Sequence, residues 1–117
     1  MPMPPNNCRE FKSFVEIVQA LRGPDGCPWD KKQSHSTLTQ YAIEEAHELV
    51  EAIENGSTSD IKEELGDVLL QVVLHSEIAR QSGSFDIQDV IETISQKMVR
   101  RHPHVFGNAQ ATTQEEI

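Results

Sequence analysis

Across residues 65–79 the chain reads LGDVLLQVVLHSEIA. Wound as a helix, this segment is apolar on nearly every side, and such a helix is normally surrounded by protein. Ser57 and Ser59 are N-cap candidates and Gly83 is a stop signal, which predicts a helix over residues 58–81. The chain has 117 residues, enough for one core. Three further helices in so small a domain can hardly cover this segment completely. Part of its surface is therefore expected to meet a second subunit, the alternative being a central helix covered within one chain.

The remaining sequence fits the same all-α class. Phe11, Phe14, Val15, Val18 and Leu21 recur at three- and four-residue steps, which predicts a helix over residues 10–21. Gly23-Pro24-Asp25-Gly26 stops it, and Cys27-Pro28-Trp29-Asp30 extends a loop to about residue 36. A second helix is expected over residues 37–54, ending at Asn55-Gly56. After the third, Ser84 or Asp86 caps a fourth that runs to residue 101, and Pro103 forbids its continuation. No segment alternates with period two, so no strand is expected. The expected architecture is a four-helix bundle with short connections. One domain spans residues 10–107, between a flexible lead-in (1–9) and a polar tail (108–117).

Ten Lys and Arg against nineteen Asp and Glu give a formal net charge of −9. Such a surface repels nucleic acid polymers and anionic membranes, which need a basic stripe. It does not repel a small phosphate ligand bridged through a divalent cation. The start of the chain, MPMPPNNCRE, carries no apolar signal region, and no stretch reaches membrane-spanning length. A cytoplasmic protein with Cys8 and Cys27 as reduced thiols is the expectation.

Acidic residues stand where a core belongs. On the second helix, Leu38, Ala42, Leu49 and Ala52 mark the buried stripe, Glu45 falls inside it, and Glu48 lies on its edge. On the third, Asp67 falls between Leu70, Leu74 and Ile78, with Glu64 one turn before it. Carboxylates buried without partners cost several kcal/mol each even after relaxation. Lys62 is the only Lys or Arg between Lys32 and Arg80, so charge neutralisation falls to a divalent cation. All-oxygen ligands suit Mg²⁺, with Mn²⁺ as a substitute. Glu45/Glu48 and Glu64/Asp67 are both i,i+3 pairs, neighbours on a helix face, and two antiparallel helices can present both pairs to one ion. Glu51, Glu54 and Glu63 read instead as a solvated face.

Glu44-Glu45-x-x-Glu48 followed by Glu64-x-x-Asp67 resembles the signature of the MazG-type all-α nucleoside triphosphate pyrophosphohydrolases. Gly26-Cys27-Pro28-Trp29-Asp30 and Arg100-Arg101-His102-Pro103-His104-Val105-Phe106 extend the likeness, which runs from about residue 21 to residue 107. The resemblance implies a four-helix bundle assembling as a homodimer or homotetramer. It implies Mg²⁺ on Glu45, Glu48, Glu64 and Asp67, and cleavage of nucleoside triphosphates (NTPs and dNTPs) to monophosphate and pyrophosphate by water attack at the α-phosphorus. Glu44 would orient or deprotonate that water. Alternatives within this likeness are a phosphoribosyl-ATP pyrophosphohydrolase, or a nucleotide-binding and assembly module without catalysis.

Phosphoryl transfer relies on positioning and charge stabilisation. Lys97 and Arg101, spaced i,i+4 beside the stripe of Ile87, Ile91, Ile94 and Met98, are candidates to hold the leaving pyrophosphate, unless they merely snorkel from a helix end. Trp29 is either a stacking surface for the base or a packing anchor. Gln33 and His35 carry groups suited to reading a base edge. His47 and His75 read as ordinary structural or surface histidines. His102 and His104 either support the site or cap the fourth helix.

Overall fold

The computed structural model describes residues 1–107; the expected polar tail over residues 108–117 lies outside the described residues. Among the described residues every regular element is helical: α1 (Phe11–Leu21), α2 (Pro28–Lys32), a 3₁₀ turn (Ser36–Leu38), α3 (Thr39–Asn55), α4 (Thr58–Gln81), α5 (Ile87–Arg101) and α6 (Pro103–Phe106). No described helix is long and apolar enough to cross a membrane. Both cysteines are free thiols.

Local chemistry accounts for the boundaries. Gly56 closes α3 in the left-handed region at φ 72°, a conformation that costs a glycine little, and its N–H reaches the Ala52 and Ile53 carbonyls. Ser57 then caps α4, its hydroxyl accepting from the Asp60 N–H. Of the two candidates for α5, Asp86 is the cap, in a reciprocal box with Asp89. The expected loop after Gly26 is instead interrupted by α2 and by the 3₁₀ turn. Pro28 starts α2 with its φ already helical, and Lys31 and Lys32 suit its C-terminal end. Five residues are too few to show a helical period.

The core is thin. Val18 of α1, Leu38 of the 3₁₀ turn, Val73 and Leu74 of α4 and Ile87 of α5 are buried together, flanked by Phe14, Val15, Leu70, Ile78 and Val90. Burying a side chain of this size contributes about 1.5–3 kcal/mol. α4 is the spine: α3 lies along it, and α1 and α5 pack on its other end. The four long helices do not close on one another as a bundle within one chain. The radius of gyration is 17.4 Å, against about 13 Å for a compact chain of 100 residues. The apolar surface of α4 is accordingly uncovered in part, with Leu65 53% and Val72 42% exposed. The end of α5 stands off likewise, leaving Ile91, Ile94 and Met98 exposed.

Candidate functional site

The tight turn at Gly56 folds α3 back along α4, and this hairpin brings the two acidic pairs face to face. One carboxylate oxygen from each of Glu45, Glu48, Glu64 and Asp67 lies within 4.8 Å of the other three. Glu45, Glu64 and Asp67 are half-buried and Glu48 is exposed. The helical phase explains the difference: Glu45 continues the stripe of Leu38, Ala42 and Ala52, whereas Glu48 sits at its margin.

No lysine or arginine answers these charges. Among the described residues the ion pairs are Met1 with Asp25, His47 with Glu51, and Arg80 with Glu77, none of them at the cluster. Glu45 Oε2 and Glu64 Oε2 are buried with no hydrogen-bond partner. Burial raises the Glu45 carboxyl above the ordinary carboxylate range, and the charges of Glu48 and Asp67 push it further. Glu64 is raised in the same way, by burial first and then by Glu48, Asp67 and Glu45. Gathered, unneutralised oxygen ligands of this kind fit a hard divalent cation.

Glu44 is exposed one residue from the cluster, its Oε1 accepting from Gln40 Nε2 at 3.3 Å. Trp29, on α2, is 49% exposed and meets Tyr41 of α3 edge to face, with ring centroids 5.7 Å apart. It therefore packs and remains accessible at once. Lys97 and Arg101 lie on α5 and pair with none of the four acids. Lys97 instead borders an open hollow of about 500 Å³ with Phe85, Val90 and Ile94.

Several residues take roles that only the structure reveals. Arg22 holds the α2 segment in place: its guanidinium donates to the carbonyls of Asp30 (2.5 Å) and Gln33 (2.9 Å) and to Gln81 Oε1 (2.9 Å). Gly26 is needed because a Cβ there would overlap the Leu21 carbonyl, where the loop passes back over the end of α1. Both ends of the Gln33 amide are engaged, by the Trp29 carbonyl and the Thr37 hydroxyl, so Gln33 braces the loop. His102 Nδ1 donates to the Met98 carbonyl and so caps the end of α5. His35 and His75 meet Nδ1 to Nδ1 at 2.8 Å, with centroids 5.1 Å apart and planes within 3°. Rings so placed lie end to end in one plane, joined by an N–H···N bond. Burial first, and then the neighbouring His35 ring, lower the His75 pKa.

Fold and site together define a class: an all-α domain whose central helical hairpin gathers four carboxylates against one another. The match to known proteins is specific. Residues 33–106 match the family model described as the MazG nucleotide pyrophosphohydrolase domain, and the chain belongs to that family. A Thermotoga maritima protein named nucleoside triphosphate pyrophosphohydrolase/pyrophosphatase MazG is 56% identical over 99 residues, 85% of this chain and 39% of that protein. The Escherichia coli K12 nucleoside triphosphate pyrophosphohydrolase is 44% identical over 109 residues, 92% of this chain and 41% of that protein. The chain thus spans about two fifths of the length of these two relatives. A solved structure of a mazG-related protein from Thermotoga maritima superimposes with a TM-score of 0.72 at 27% identity, covering 90% of each chain.

Proposed function

We propose that this domain hydrolyses nucleoside triphosphates to nucleoside monophosphate and pyrophosphate, with Glu45, Glu48, Glu64 and Asp67 holding Mg²⁺. The observation that carries this reading is the meeting of four carboxylates within 4.8 Å, with no basic residue paired to them and two buried oxygens unpartnered. The names of the relatives at 44% and 56% identity support the same reaction. Once bound, a divalent cation withdraws charge from phosphoryl oxygens and favours attack at phosphorus.

The chain's own residues supply the remaining parts. Glu44 points away from the apolar stripe and takes the proton as water attacks the α-phosphorus and the α–β bridging bond breaks. Its link to Gln40 holds the carboxylate in place without consuming both oxygens. Trp29 offers a ring face for a base. Lys97 and Arg101 are proposed to meet the pyrophosphate. Because they sit on the part of α5 that stands off α4, this role requires α5 to close on the hairpin or to be met by a second copy. The exposed apolar surface along α4 and α5 supports a homodimer or homotetramer.

Incubation with a panel of NTPs and dNTPs plus Mg²⁺, with chromatographic resolution of products, tests the reaction. Monophosphate and pyrophosphate are expected. Release of diphosphate and orthophosphate, or no turnover at all, would overturn it.

A further inference from the structure

Among the described residues, the buried side-chain polar atoms without a hydrogen-bond partner are Glu45 Oε2, Glu64 Oε2, Gln71 Oε1 and His104 Nδ1. Such atoms are uncommon in folded proteins, and each needs a physical reason. Two of them belong to the acidic cluster. Gln71 lies on the same strip of α4: at 100° per residue, Glu64, Gln71 and His75 fall within about 40° of one another. Gln71 is one turn beyond Asp67, about 6 Å along the helix axis. One turn further, His75 is engaged by His35. On antiparallel α3, one turn back from Glu45 brings Tyr41 to the same level, with Trp29 against it. Moving away from the acids, the hairpin therefore carries a buried amide oxygen level with two aromatic rings, then an imidazole pair.

We infer that Gln71 is a specificity-determining residue, its side-chain oxygen accepting a hydrogen bond from a donor on the nucleoside part of the substrate. This rests on the hydrolase reading above. The chemistry selects the nucleoside because Gln71 Oε1 can only accept. A triphosphate at neutral pH offers almost nothing but acceptors, so it cannot satisfy this atom. The donors of a nucleotide are its sugar hydroxyls and the N–H groups of its base, and both lie beyond the phosphates. Gln33, which braces the loop, has both ends paired within the chain, whereas Gln71 Oε1 has no partner there.

The test compares the wild-type chain with Gln71→Leu and Gln71→Ala in Mg²⁺, reading kcat/KM and the melting temperature. One arm uses ATP, dATP and the 2′,3′-dideoxy analogue, which differ only in sugar hydroxyls. The other pairs ATP with ITP and CTP with UTP, which exchange an exocyclic amine for a carbonyl and the adjacent bare ring nitrogen for an N–H, moving the donor by one position. The wild type is expected to lose roughly 10- to 100-fold on the substrate that lacks the donor, the range for an unmet buried hydrogen bond. Both variants are expected to bring that ratio toward one without lowering the melting temperature, since an unpaired acceptor is removed. The arm that responds identifies the donor as sugar or base. Variants that slow every substrate by one common factor, that leave the ratios unchanged, or that fail to fold would overturn the inference while leaving the hydrolase reading intact. A wild-type chain that releases no pyrophosphate from any nucleotide sinks both.

Discussion

Replacing Glu45 by Gln removes one negative charge from the cluster and changes almost nothing in shape. The Glu45 ligand oxygen lies within 4.8 Å of those of Glu48, Glu64 and Asp67. At that separation two unit charges repel by about 1 kcal/mol with water-like screening and about 3.5 kcal/mol at an effective dielectric of 20. The cluster is only half-buried, so the lower figure governs each pair, and part of it is lost to salt. Summed over three neighbours, the relief in the metal-free protein is about 1–3 kcal/mol. For a domain of this size each kcal/mol corresponds to roughly 4–8 °C in melting temperature. Melting Glu45→Gln and wild type at equal protein concentration in EDTA should show the variant several degrees higher. With Mg²⁺ the order should invert, because the wild type gains binding free energy that the variant has lost. Pyrophosphate release by the variant should fall by about 100-fold or more, beyond what loss of a supporting outer contact costs. A variant that melts lower than wild type in EDTA, or turns over at the wild-type rate, refutes the reasoning.

Glu45 and Glu64 titrate above the ordinary 4.5 in the folded chain, so over that window the native state holds more protons than the unfolded one. Metal-free stability should therefore be greatest below about pH 4.5 as far as these groups are concerned, and decline as pH rises through their raised range; thermal melts in EDTA across mildly acidic pH check the sign, and saturating Mg²⁺ should reverse it. Gly26→Ala forces a methyl against the Leu21 carbonyl and should cost about 1–3 kcal/mol in urea unfolding, the usual penalty of overpacking. Leu38→Ala empties a fully buried position that joins the 3₁₀ turn to α4 and should cost about 2–5 kcal/mol by the same assay.

The legible parts of this molecule were those written locally. The limits of α4 follow from Ser57 and Gly83, and the end of α3 from Gly56, because caps and left-handed glycines act within one turn of chain. The approach of Glu45 to Asp67 could be read as well, since helical phase and a two-residue turn leave a hairpin little freedom. Interactions across long chain separations were not legible. Arg22 meets Gln81 across 59 residues and His35 meets His75 across 40, and no spacing rule announces either. Gln71 looks in the sequence like one polar residue in a greasy helix; only an unpartnered oxygen marks it. How the helices of the expected bundle meet was not legible for the same reason. Each helix is amphipathic on its own terms, but which faces meet within one chain is decided by packing, and here α4 alone touches α1, α3 and α5 extensively.

The proposed hydrolysis depends on two helices offering their acids to one divalent ion. Isothermal titration of Mg²⁺ into the EDTA-treated and dialysed chain, beside Asp67→Asn, addresses that directly. Saturable uptake by the wild type and its loss in the variant are expected. Absence of uptake in the wild type, or equal uptake by both proteins, would contradict it.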